Sequence, residues 1–139
     1  MASGGKYVFF ANRRSRAMRT HSEDIRVCIE LCWQCRDTCQ RTFFNHCLDQ
    51  GGAHVAHDHA VLMNDCIQAC QTAADFMVRG STRHAAECAA CAEVCEACAV
   101  SCEAFDCDEM KACAEACRRC SQSCRDMSRT PGHPAPMAA

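Results

Sequence analysis

Leucine, isoleucine, valine and phenylalanine are scarce in this chain, numbering together only 19 of 139 residues. So small a share is more usual in disordered segments than in packed domains. The net charge is only −2, however, so self-repulsion does not hold the chain open. No run of 18 or more apolar residues occurs, which excludes a transmembrane helix. No stretch alternates polar and apolar residues over a strand's length, which argues against a sheet. The apolar stretch at 7–11 is too short for a secretory signal, and the basic cluster follows it instead of preceding it. Arg13 and Arg14 form a twin-arginine pair, but 15–23 supplies no apolar segment behind it. There is no G-x-S-x-G and no P-loop, and the Cys-x-x-Cys pairs lack the strand context of a thioredoxin site. Catalysis is not expected.

What the chain has instead is 17 cysteines and 23 alanines. Any packed interior must be built from these two residue types. The cysteine count is odd, so complete internal pairing is impossible. We expect a cytoplasmic protein, in which thiols stay reduced and cysteine patterns signal metal or redox chemistry. Residues 1–21 carry Lys6, Arg13, Arg14, Arg16 and Arg19 without an acid, a charge of +5 against −7 for the rest. No aromatic is interleaved among the four arginines, and this cluster reads as an arm or a strap, not as a nucleic-acid interface.

Punctuation divides the chain into four helical segments. Thr20 with Glu23 forms a capping box opening the first, which runs to about Asp49 before Gly51 and Gly52. The second starts near His54 and ends at Gly80, a left-handed C-terminal cap. Ser81 or Thr82 caps the third, which reaches about Phe105. Asp106 with Glu109 caps the fourth, which fades at Ser128 before Pro131. Short connections make neighbouring helices antiparallel. The expectation is an all-α, up-down-up-down four-helix bundle over 20–128, with a basic arm at 1–19 and a flexible tail at 129–139.

The spacing of the cysteines carries the functional signal. The first segment holds Cys28, Cys32, Cys35 and Cys39; the third Cys88, Cys91, Cys95, Cys98 and Cys102; the fourth Cys113, Cys117, Cys120 and Cys124. These 3–4 alternations occupy the a and d positions of a heptad seam, where leucine normally sits. At about 100° per residue, the four cysteines of the first segment fall within an arc of roughly 60°. The second segment has only Cys66 and Cys70, its stripe continued by Val55, His59, Met63, Ala73 and Met77. Fifteen cysteines thus line one core, while Cys47 and Cys107 fall off the stripe at helix ends.

Three readings of this ladder compete. A lone buried cysteine is commonly a small hydrophobe, but fifteen in register would fill a core poorly. Disulfides within one helix are strained, because neighbours three or four apart have Cβ atoms about 5–6 Å apart and a bridge needs about 3.5–4.5 Å. Metal binding is the third. Zinc takes four ligands about one ion, and several zinc tetrathiolates stacked in a dry core would each keep a charge of −2. Iron–sulfur motifs wrap a cluster with loops. Cu(I) accepts two or three thiolates, each sulfur can bridge two ions, and one Cu⁺ per thiolate leaves the core neutral, so on the order of fifteen ions fit. Zinc or iron–sulfur binding and a thiol redox sensor remain the alternatives.

In these motifs (Cys-x-x-x-Cys-x-x-Cys-x-x-x-Cys in the first segment and the runs 88–102 and 113–124) the sequence resembles the bacterial copper storage proteins, and specifically their cytosolic branch. The resemblance spans about 20–128. It implies many Cu(I) ions inside each bundle and commonly a tetramer of bundles; we also expect a cytosolic copper donor or acceptor as partner, since the ion must be handed into a dry core. It also implies histidine and methionine at the start of the second helix, matched here by His54, His57, His59 and Met63. The basic arm departs from the family pattern. His46 projects onto the first stripe and Met110 begins the fourth, so His46, His57, His59, Met63 and Met110 join Cys47 and Cys107 as candidate ligands at one end. At the other end His21, Met77, His84 and Met127 also fall near the stripe, with the two methionines read as core plugs. Asp58 is read as exposed, and Trp33, Phe43, Phe44 and Phe76 as residues that pack between helices or between subunits.

Overall fold

The structure is a computed structural model that describes residues 21–130. The arm at 1–19, the capping role of Thr20 and most of the tail at 129–139 lie outside the described residues. Four helices fill almost all of the rest: α1 His21–Thr42, α2 His57–Val78, α3 His84–Glu103 and α4 Asp108–Ser128. None contains glycine or proline, and α3 carries seven alanines, the best helix former. Acids occupy the first turns, Glu23 and Asp24 in α1 and Asp108 and Glu109 in α4, where they meet the positive end of the helix dipole.

The helix ends differ in places from their sequence signals. Gly80, at φ 68, closes α2 as a Schellman motif, with the Ser81 N–H donating to the Phe76 carbonyl at 3.0 Å and the Gly80 N–H to the Met77 carbonyl at 3.1 Å. Ser81 therefore belongs to the end of α2. Its hydroxyl accepts the Arg83 N–H at 3.1 Å, and α3 begins at His84 without a side-chain cap. Asp106 does not cap α4 either. Cys107 precedes that helix in extended backbone, and Asp106 pairs with Lys111 at 3.2 Å.

The largest departure lies at the end of α1. The helix continues through one π turn, Phe43–Cys47, where the Leu48 N–H reaches back five residues to the Phe43 carbonyl. A last turn, Leu48–Gln50, and a 3₁₀ turn, Gly52–Val55, complete the connection to α2. A π turn holds one residue more than an α turn. That extra residue rotates Cys47 onto the seam and carries His46 off it.

Each helix packs chiefly on two others, α1 on α2, α2 on α3, α3 on α4 and α4 back on α1, closing a four-helix ring. Small buried residues, Ala92 and Ala99 on α3 and Ala114 on α4, let that pair approach closely, and the Ser121 hydroxyl donates to the Ala92 carbonyl at 2.9 Å across it. On the outside, Arg125 pairs with Glu96 at 2.6 Å and Arg118 with Glu103. Both pairs are half-exposed and fix register more than stability. Among the described residues no helix is long and apolar enough to cross a membrane.

Candidate metal centre

The seam of the bundle is a column of sulfur. Of the 17 cysteines, 16 are wholly buried, and all 17 are free thiols. The ladder positions of all four helices meet across the axis. Cys39 Sγ lies 3.4 Å from Cys113 Sγ and 3.5 Å from Cys117 Sγ; Cys32 is 3.5 Å from Cys124; Cys95 is 3.6 Å from both Cys66 and Cys70. Cys91 and Cys120 join this network at 3.7 Å from Cys95 and Cys32 respectively, and Cys28 at 3.8 Å from Cys124.

These contacts resolve into sets whose sulfurs all lie within 4.8 Å of one another, and successive sets share members. Cys35, Cys39, Cys66 and Cys117 form one. Cys35 and Cys66 recur with Cys70 and Cys95; that pair recurs with Cys91 and Cys120; those two recur with Cys32 and Cys124; and Cys124 recurs with Cys28 and Cys88. A row of separate zinc sites would need four exclusive thiolates each. Shared thiols instead suit an ion that accepts few donors and tolerates bridging sulfur.

The thiol protons in this column are shared as well. Contact with Cys117, and next with Cys35, holds the Cys66 thiol well below its ordinary range, while the interaction with Cys113 pushes Cys117 well above it. Cys98 is lowered to about 7, chiefly by Cys102. Burial raises the more isolated Cys47 thiol to about 11.

Thioethers close the column. Met63 Sδ accepts from Cys102 at 3.5 Å, Cys98 at 3.6 Å and Cys113 at 3.9 Å. Met110 Sδ lies 3.7 Å from Cys47 Sγ, and Met77 Sδ 3.7 Å from Cys88 Sγ. Beyond Met63 stands the histidine end. His59 is almost wholly buried, with Nδ1 2.7 Å from Ser101 Oγ and Nε2 3.9 Å from Cys47 Sγ. Burial lowers its pKa, so the ring is held neutral. At the rim, His46 Nε2 is 3.6 Å from the half-buried Cys107 Sγ, and the His46 and His54 rings meet edge-on at 5.2 Å. Phe105 lies under His54 and His59, at 4.2 and 4.8 Å between ring centres.

Most candidate ligands are thus gathered in one continuous path, but four residues stand elsewhere than the sequence places them. Cys47 lies in the core, not off the stripe, and His46 takes the half-buried rim position, because of the π turn. His57 stands apart: its side chain is 87% exposed and pairs with Asp58 at 3.0 Å. Val55 lies exposed in the 3₁₀ turn and does not extend the α2 stripe. Sequence reasoning missed Ser101 and Phe105. The only signal for Ser101 is its place beside Cys102, and no local pattern ties it to a histidine 42 residues earlier.

Comparison with known proteins agrees with this geometry. The sequence profile of the copper storage proteins matches residues 20–129. A crystal structure of a Nitrosospira multiformis protein shares 44% identity, covers 76% of this chain and 95% of that one, and superposes with a TM-score of 0.73. The Cu(I)-bound copper storage protein BsCsp3 shares 34% identity over 76% of this chain and 98% of that one, with a TM-score of 0.71. Apo copper storage protein 3 from Bacillus subtilis shares 35% identity over 74% of this chain and 97% of that one, with a TM-score of 0.67. Among curated proteins no sequence matches. A profile matched across the whole bundle and relatives at this identity and coverage show that the chain belongs to the copper storage protein family.

Proposed function

We propose that this chain stores and sequesters many Cu(I) ions on the thiolates of its bundle core. The observation that carries the proposal is the overlap of the thiol sets, since sulfurs shared between successive sites suit bridged Cu(I) and not isolated tetrahedral ions. Charge supports it: one Cu⁺ replacing each thiol proton keeps a dry core neutral, whereas stacked zinc tetrathiolates would leave uncompensated negative charge there. The Cu(I)-bound state of BsCsp3 is consistent with this cargo. We place the protein in the cytoplasm, as a homotetramer that exchanges copper with a donor or acceptor and performs no catalysis; the family resemblance supports these points. Cys28, Cys32, Cys35, Cys39, Cys47, Cys66 and Cys70, with the ladder thiols of α3 and α4, are the storage ligands. Copper passes from Cys107 and His46 at the rim to His59, Met110 and Met63, and then into the column.

X-ray absorption at the copper edge of the loaded, reduced protein tests this reading. We predict a sulfur-dominated first shell with copper–copper scattering beyond it. A shell dominated by nitrogen or oxygen, or sulfur without metal–metal scattering, would contradict shared-thiolate storage.

A further inference from the structure

The end of the bundle away from His59 holds a second buried imidazole that the storage column leaves unused. Ladder positions continue there past the last thiols: His21 lies seven residues before Cys28, Met77 seven after Cys70, His84 four before Cys88 and Met127 three after Cys124. Heptad spacing keeps each on the seam. Each helix therefore adds one imidazole or thioether to a layer stacked on Cys28, Cys88 and Cys124, whose sulfurs lie within 4.8 Å of one another. Met77 Sδ is 3.7 Å from Cys88 Sγ, and the His21 and His84 ring centres are 6.3 Å apart.

His84 is 4% exposed, and its Nδ1 lies 3.0 Å from the Ser81 carbonyl oxygen. A carbonyl only accepts, so Nδ1 carries the proton, and in the neutral ring Nε2 carries a lone pair. That Nε2 is buried and has no hydrogen-bond partner. Histidines that ligate metals tie their second ring nitrogen in this way, which fixes the tautomer and aims the other nitrogen. His59 has a parallel construction at the opposite end, with Nδ1 on Ser101 and Nε2 toward Cys47. The seventeen residues from His84 to Ser101 put the two ends about 25 Å apart along α3.

We infer that His84 Nε2 is a terminal Cu(I) ligand which, with the Cys88 thiolate and the Met77 thioether, closes the far end of the column. The bundle then offers copper an imidazole at both ends, and Met77 is a ligand as well as a plug. As the Cu–S bond forms, the Cys88 thiol gives its proton to solvent; copper stays Cu(I), and the site is neutral. This inference rests on the storage reading.

The test uses the full-length reduced protein, loaded anaerobically with Cu(I) and followed by long-range ¹H–¹⁵N correlation of its imidazoles, with His84 assigned by loss of its signals in His84→Gln. Ultraviolet thiolate-to-copper absorption of the same sample reports filling of the column. We expect His84 Nε2 to move from the free lone-pair range to the metal-bound range while Nδ1 stays protonated. If the absorption saturates and Nε2 stays where it was, the inference is overturned and storage stands. If no absorption develops, both fall.

Discussion

Two histidines two positions apart near the start of α2 have opposite surroundings. His59 is buried, oriented by Ser101 and within reach of Cys47, whereas His57 stands in solvent beside Asp58. A Cu(I) ion leaving a donor loses favourable ligands before it gains thiolates, so neutral imidazoles of moderate affinity ease the transfer. Cys47, its thiol raised to about 11 by burial, keeps its proton until a metal displaces it. We predict that His59→Ala and His46→Ala each slow copper loading by on the order of tenfold, the usual scale for groups that tune a metal site, and leave final capacity almost unchanged. His57→Ala should alter neither. Stopped-flow transfer from a Cu(I)-chelate donor checks this. Wild-type rates in His59→Ala, or slowing in His57→Ala as large as in His59→Ala, would show that copper takes another path.

The π turn at the end of α1 is the element on which sequence and structure part. In a regular helix His46, eighteen residues after Cys28, completes five turns and lies on the stripe. The extra residue of the turn gives that place to Cys47, and the Asn45 side-chain amide donates to the Arg41 carbonyl at 3.1 Å. If the turn serves only to set register, deleting the exposed Asn45 restores a regular helix with Cys47 still on the seam. We predict unchanged copper capacity, and a melting temperature of the reduced apo-protein raised by about 4 °C for each 1 kcal/mol gained. Loss of an equivalent or more on chelator titration would show that the turn itself shapes the site. The four helices and the thiol seam were legible because cysteine repeats at 3.6-residue spacing between glycine signals, as at Gly51 and Gly80. Cys47 was not legible, since a π turn leaves no local residue pattern. Nor were the starts of α3 and α4, because Ser81 is taken by the closure of α2 and Asp106 by its ion pair with Lys111.

At the scale of the molecule, a ring of four small-residue helices encloses one continuous column of 15 buried thiols with a thioether at each end, and the buried Cys47 lies beyond Met63. Alanine at the close α3–α4 contact leaves little room for larger apolar side chains, so the volume that leucine fills in an ordinary bundle is given to sulfur. Shared thiols make the column a single store, so its capacity scales with the number of thiols and not with the number of isolated four-thiol sites. Anaerobic titration of the reduced protein with Cu(I) against a chromophoric Cu(I) chelator measures that capacity directly. The chelate complex should begin to form only after on the order of fifteen equivalents per chain, with thiolate-to-copper absorption growing throughout; saturation at one or two equivalents would contradict storage by the column.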